Sequence, residues 1–302
     1  MKRHILITGA TGMVGKGLIK ALHQKGHTIA ILSRKLKPVE NAKVYLWDVE
    51  KQTVDEECLN GVDTIVHLAG ENVASKKWTK ERKQQIIDSR VQSAALLHKV
   101  LKRIPNHVTQ FISASAVGYY GDCGDEILTE RSDNGFGFLA ECCKLWENEA
   151  DHFKVFGLKI VKVRIGFVLG KDEGALPALE KPIRLFVGAP LGTGEQWVPW
   201  IHLDDLVRIF TEAIDNPLMI GTYNACAPYP VTNSTLTHCV AKHIHRPIWP
   251  VKIPEKMLEL ILGEMSSVVT MSTNTSAQKI LESGFTFNFT RLEDALGNLY
   301  KK

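Results

Sequence analysis

Three glycines in the opening stretch HILITGATGMVG constrain this chain more than any other feature. An apolar, strand-like run from His4 to Ile7 leads into Gly9, Gly12 and Gly15. In a strand–turn–helix unit, Gly9 permits the tight turn, Gly12 lets backbone approach a pyrophosphate, and Gly15 lets the helix pack closely on the strand. An anion held there sits at the positive end of the helix. Gly9, Thr11, Gly12, Met13 and Val14 are therefore the expected dinucleotide-holding residues of this turn. The helix is predicted from Met13 to Lys25, with apolar residues at Val14, Leu18, Ile19, Ala21 and Leu22 and a stop at Gly26.

A second strand, Thr28 to Leu32, ends in Ser33, Arg34 and Lys35. In a dinucleotide fold this position meets the ribose attached to adenine. An Asp or Glu would hydrogen-bond a free 2′-hydroxyl, and none is present. An Arg accommodates a 2′-phosphate instead, through charge-assisted bonds. The expected cofactor is NADP rather than NAD.

Further strand-like runs cover Lys43 to Trp47, Thr64 to Leu68, Gln110 to Ala116 and Lys159 to Leu169, with helix-like stretches between most of them. This alternation predicts an α/β fold with a doubly wound, parallel Rossmann-type sheet. Ligands of such sheets bind beyond the carboxyl ends of the strands, so Asp48, Ala69, Ser115 and Gly166 are expected to converge on one crevice. From Pro177 the texture changes to loops rich in Gly, Pro and Trp. We expect an NADP-binding domain over 1–170 and a smaller substrate lobe over 171–302, made discontinuous by a segment, 203–226, that returns to the main sheet.

The chain of 302 residues is 44% hydrophobic, enough for a large buried core. A net charge of +4 without a long basic run calls for no nucleic-acid or membrane partner. Cysteines at 58, 123, 142, 143, 226 and 239 form no CxxC pair, which reads as reduced thiols in a cytoplasmic protein. No charged leader is read before the first strand, and no apolar run spans a bilayer. His243 and His245 lack further ligands at metal spacing, so no metal is expected.

Taken together, TGATGMVG, HLAGE at 67–71 and ISASAVGYYG at 112–121 resemble the extended branch of the short-chain dehydrogenase/reductase superfamily. More narrowly, LAGEN at 68–72, SR at 89–90, FLAECCKLWE at 138–147, VRIGFVLG at 163–170 and LGTGEQWVPWIHLDDL at 191–206 resemble its epimerase-family proteins. These are also called nucleoside-diphosphate-sugar-epimerase-like or cell-division-inhibitor-like. The resemblance places Asp48 and Val49 near adenine and Leu68, Ala69, Gly70 and Glu71 along the cofactor. It gives Arg90 either a phosphate or an exposed helix position.

Superfamily chemistry uses a Ser, a Tyr and a Lys four residues after the Tyr. Ser115 is the candidate serine, with Ser113 as its alternative and as a cofactor contact. The helix that should carry the other two reads FLAECCKLWENEA and has no tyrosine. Anchoring on Lys144 puts Ala140 at the tyrosine position; anchoring on Trp146 and Glu147 puts Leu139 and Cys143 at the two positions. Tyr119 and Tyr120 are the nearest phenols for proton transfer. By resemblance Trp197, Trp200 and His202 face the substrate crevice, and Arg164 holds either a substrate anion or an internal ion pair. The expected activity is NADP-dependent hydride transfer on a small carbonyl or carbinol compound, by a monomer or homodimer. The alternative is an NADP(H)-binding sensor or scaffold with little turnover.

Overall fold

The computed structural model describes residues 2–171 and 173–301. In chain order its strands are β1 (His4–Thr8), β2 (Thr28–Ser33), β3 (Lys43–Asp48), β4 (Thr53–Val54), β5 (Thr64–His67), β6 (Gln110–Ala116) and β7 (Ile127–Leu128). There follow β8 (Lys159–Ile165), β9 (Phe167–Leu169), β10 (Trp197–Val198), β11 (Trp200–His202), β12 (Gly221–Ala225), β13 (Val231–Thr232) and β14 (Asn274–Thr275). The helices that matter here are α1 (Met13–Gln24), α2 (Lys80–Arg103), α3 (Phe138–His152), α4 (Leu176–Arg184), α5 (Leu203–Asp215) and α6 (Asn233–His243).

Eight strands form the main sheet in the order β12-β8-β6-β5-β1-β2-β3-β4. Its neighbours pair in parallel except β4, which turns back against β3. Ile5, Leu6 and Ile7 of β1 are fully buried, as a central strand covered on both faces requires. One face carries α1 and α5 over Leu18, Leu22, Ile209 and Phe210; the other carries α2 and α3 over Leu97, Val100, Phe111 and Phe153. From β1 the chain proceeds outward to β2 and β3, then crosses to β5, β6, β8 and β12 on the opposite side. This reversal makes the carboxyl ends of β1 and β5 the switch point where a doubly wound sheet opens a crevice.

The apolar run from Lys159 to Leu169 is not one strand, contrary to the sequence reading. It divides at Gly166 into β8, in the main sheet, and β9, which pairs with β11 in a small parallel sheet. A β-carbon at Gly166 would lie 2.2 Å from the Pro199 carbonyl oxygen, so only glycine lets the chain pass between the sheets. Beyond it, Leu169, Leu176, Trp200, Leu236, Val240 and Leu296 form a separate apolar core. The predicted helix from Leu203 to Asp215 is α5, started by His202, whose Nδ1 accepts from the Asp204 amide at 3.1 Å.

At the far side of the sheet, β12 has no further strand beside it among the described residues. Its Asn224 amide donates to Glu130 at 2.8 Å, and the Thr222 carbonyl accepts from Lys279 at 2.6 Å. Among the described residues no helix is long and apolar enough to cross a membrane.

Candidate functional site

The glycine turn closes the end of β1 with three different geometries. Gly9 has φ of +65°, and a β-carbon there would lie 2.6 Å from the Leu68 carbonyl carbon. Gly15 stands so close to Ala10 that a β-carbon would meet its Cα at 2.5 Å. Gly12 differs: the nearest atom to its missing β-carbon is the Gly9 oxygen at 3.4 Å. Gly12 also begins α1 without any side-chain cap, and no acidic residue occupies the first turn. The first-turn amides are thus left for an anion. Thr11 is exposed, Val14 packs partly into the core, and the Met13 thioether lies against Gly170 and Gly174.

The segment after β5 is held from α2. The Ser89 hydroxyl accepts the Glu71 amide at 2.9 Å, and the Arg90 guanidinium donates to the Glu71 carbonyl at 3.1 Å. Arg90 is buried, packs against the missing side chain of Gly70, and stacks over Trp146 at 4.8 Å. It is neither an exposed helix arginine nor a free phosphate ligand. The Glu71 carboxylate accepts from Arg82, which also donates to the Asn72 carbonyl and Ser75. The SR pair and the LAGEN run therefore meet through these side chains.

His67, at the end of β5, is fully buried, and burial pushes its pKa down to about 4. Its folded value is below the unfolded 6.5, so the unfolded chain binds the proton first as pH falls. The stability it confers is complete above pH 6.5 and is lost between 6.5 and about 4. Linkage makes this limb worth about 3 kcal/mol. Urea unfolding at pH 7 and pH 4.5 checks it: the stability difference should shrink in His67→Leu, whereas an unchanged difference would assign the limb to other groups.

At the end of β2, Arg34 and Lys35 are exposed, and neither enters an ion pair among the described residues. Ser33 accepts the Lys35 amide at 3.2 Å, which bends the chain after the strand. Asp48, at the end of β3, accepts the Lys51 amide at 3.1 Å; this bond holds its carboxyl below the usual range. Val49 packs under it against the core on the α2 side.

The end of β6 holds a buried charge network. Ser115 donates to Glu147 at 2.8 Å, and Glu147 takes two bonds from Arg164, at 2.7 and 3.0 Å. Burial pulls the Arg164 pKa down, and the bonds and charge of Glu147 more than reverse this. Arg164 is thus the internal ion pair and not a crevice cation; its guanidinium also covers the Tyr119 ring at 3.5 Å. Ser113 is buried in the sheet, its hydroxyl donating to the Ala114 carbonyl. Tyr120 is fully buried, donates to Asn224 at 2.6 Å, and has its pKa pushed by burial up to about 12. Tyr119 is only partly buried.

On α3 the face toward Gly118 carries Leu139 and Cys143, two turns and one turn before Glu147. Lys144 lies on the exposed side of the helix, away from this network. Burial raises the Cys143 thiol to about 12. The Trp146 and Glu147 anchor, and not the Lys144 anchor, describes the inward face.

In the separate apolar core beyond Gly166, Trp200 is fully buried, with its indole NH on the Tyr229 carbonyl at 3.0 Å; it is core and does not face the crevice. His202 is buried as the cap of α5 and stacks on Phe289 at 4.0 Å. Trp197 is partly exposed and binds Asp125 at 2.8 Å. Gly166 serves the sheet crossing described above. The sequence reading missed a cluster in which Trp78 meets Phe138 edge-on at 4.8 Å, Lys83 covers Phe138, and Lys83 also pairs with Glu264 from the C-terminal part of the chain. Only the tertiary fold reveals it, because no local pattern links these positions.

A parallel sheet with this strand order and an uncapped glycine turn at its switch point defines a dinucleotide-binding α/β protein of the short-chain dehydrogenase/reductase type. Residues 5–226 match the NAD dependent epimerase/dehydratase family, and residues 253–299 match a domain of unknown function, DUF1731. The chain belongs to the NAD dependent epimerase/dehydratase family. It is 33% identical over 298 residues to the epimerase family protein YfhF of Bacillus subtilis, covering 98% of this chain and 97% of that one. It is 34% identical to the chloroplastic SDR39U1 homolog of Arabidopsis thaliana, over 97% of this chain and 85% of the other. The structure of the human epimerase family protein SDR39U1 with NADPH superposes with a TM-score of 0.86 at 26% identity, covering 98% and 99% of the two chains.

Proposed function

We propose that the protein binds NADP(H) and transfers hydride between its nicotinamide and a small carbonyl or carbinol compound. The observation that carries the reading is the pairing of an open, uncapped turn at Gly12 with exposed Arg34 and Lys35 after β2. Gly9, Thr11, Gly12, Met13 and Val14 would hold the pyrophosphate, Ser33, Arg34 and Lys35 the 2′-phosphate, Asp48 and Val49 the adenine side. Leu68, Ala69, Gly70 and Glu71 would run along the far wall. When bound, the cofactor supplies or accepts the hydride. The structure of the human relative with NADPH supports the choice of cofactor.

Proton transfer falls to Tyr119 in this reading. The Ser115 proton is committed to Glu147 and the Tyr120 proton to Asn224, while Leu139 offers none. Tyr119 is partly exposed, with the Arg164 guanidinium over its ring. A second reading, binding without turnover, is favoured by Leu139 and Cys143 on the inward face of α3. NADPH oxidation with a carbonyl panel separates the two.

Titration with NADPH and NADH, followed by nicotinamide fluorescence, tests the cofactor. Arg34→Ala should weaken NADPH binding by about 10- to 100-fold, the loss of a charge-assisted phosphate bond, and leave NADH nearly unchanged. Equal losses for both would remove Arg34 from the 2′-phosphate.

A further inference from the structure

Thr8, His67 and Ser93 are each fully buried and joined in one chain of hydrogen bonds. The Leu68 and Ala69 amides both approach the Thr8 hydroxyl oxygen at 3.2 Å. A hydroxyl has two lone pairs and one hydrogen, so with both amides as donors its own hydrogen goes to Nδ1 of His67, at 2.9 Å. Nδ1 is then the acceptor, and Nε2 carries the ring proton. That proton points at the Ser93 oxygen, 3.2 Å away, and the Ser93 hydrogen goes to the Ser89 carbonyl at 2.7 Å. The Ser93 hydroxyl also reaches the Arg90 carbonyl at 3.0 Å, and the Leu68 amide is shared with the Thr8 carbonyl at 3.3 Å, so the chain of bonds runs from the backbone of α2 to the two amides after β5.

Those amides belong to the segment against which Gly9 rests without room for a β-carbon. A displaced Leu68 would therefore displace the glycine turn itself. We propose that His67 is a positioning residue for the bound dinucleotide, holding the Leu68–Glu71 segment and the Gly9 turn in register through Thr8. It acts without touching the ligand. The inference rests on the reading above that these two segments flank the cofactor.

The test uses His67→Leu, His67→Asn, Thr8→Val and the double variant His67→Leu with Thr8→Val. NADPH Kd is read by fluorescence beside the urea midpoint and the NADPH-to-NADH preference. Loss of a buried hydrogen bond to a positioned hydroxyl predicts about a tenfold rise in Kd for His67→Leu and for Thr8→Val. The double variant should show little more than either, because both act on one device. Asparagine places an acceptor where Nδ1 stands, so His67→Asn should bind within about threefold of wild type. Cofactor preference should not change in any variant, since Arg34 is untouched.

Multiplying effects in the double variant, or His67→Asn no better than His67→Leu, would overturn the proposal. So would lower urea midpoints with unchanged Kd. If His67→Leu does not fold, Thr8→Val weakening binding while His67→Asn retains it supports the proposal, and the reverse order overturns it. Wild-type protein that binds neither nucleotide removes the cofactor reading and this inference together. Wild-type binding with indifferent variants removes His67 alone.

Discussion

Alanine at Gly12 is expected to leave the fold intact while raising the NADPH Kd about 10- to 100-fold, and alanine at Gly9 is expected to cripple folding itself. The two glycines lie three positions apart in one turn, yet their surroundings are opposite. Gly12 has an extended backbone, with φ of −77° and ψ of 172°, that any residue adopts, and open space where its β-carbon would go. Its alanine variant should lose no more than about 1 kcal/mol of stability. In the proposed binding mode the added methyl instead stands where phosphate approaches, an overpacking worth about 1–3 kcal/mol of affinity. At Gly9 a left-handed backbone costs alanine about 1–2 kcal/mol, and the clash with Leu68 and Ala69 adds a similar amount or more. Urea unfolding and NADPH titration of both variants decide the matter. A Gly12→Ala protein that binds like wild type would remove the turn from the cofactor site.

Breaking the buried pair at the end of β6 should be the most destabilising charge substitution in the protein. Glu147→Leu leaves Arg164 buried without its carboxylate, which costs about 3–5 kcal/mol. For a chain of this size that lowers Tm by roughly 5–8 °C. Adding Arg164→Met should recover much of the loss, because two apolar side chains replace two paired charges. By contrast Asp215→Ala, which breaks the exposed pair with Lys25, should move stability by no more than about 1 kcal/mol. A double variant as unstable as Glu147→Leu alone would mean that Ser115 and Lys162, whose ammonium lies 3.5 Å from the same carboxylate, need it more than Arg164 does.

The parts of the site that sequence conveys are those written locally. The glycine turn, the basic end of β2 and the limits of α5 depend on neighbours within a few residues, and the alternation of strands with helices follows from chain order. The fate of each charged or aromatic side chain depends on partners the chain brings from afar. Arg90 finds Glu71 across the gap between α2 and the β5 segment; Arg164 finds Glu147 between a strand and a helix. Both look the same in sequence as free cations. Trp197 and Trp200 stand three residues apart in one motif, yet one is partly exposed and the other is core, because β11 pairs with β9 beneath the second lobe. Gly166 carried the one visible sign that the apolar run changes sheets, and a lone glycine in a strand has several readings.

The two side chains at β12 have a consequence for self-association. An outermost strand normally offers its spare amides and carbonyls to any other extended chain, the usual seed of edge-to-edge polymerisation. Here Glu130 has already taken the Asn224 amide and Lys279 the Thr222 carbonyl, so an incoming strand finds both positions filled and a charged group in its way. At the opposite margin the two-residue β4 is too short to template anything. The eight-stranded sheet is thus blocked at its β12 margin by a glutamate and a lysine, and at the other its last strand is only two residues long.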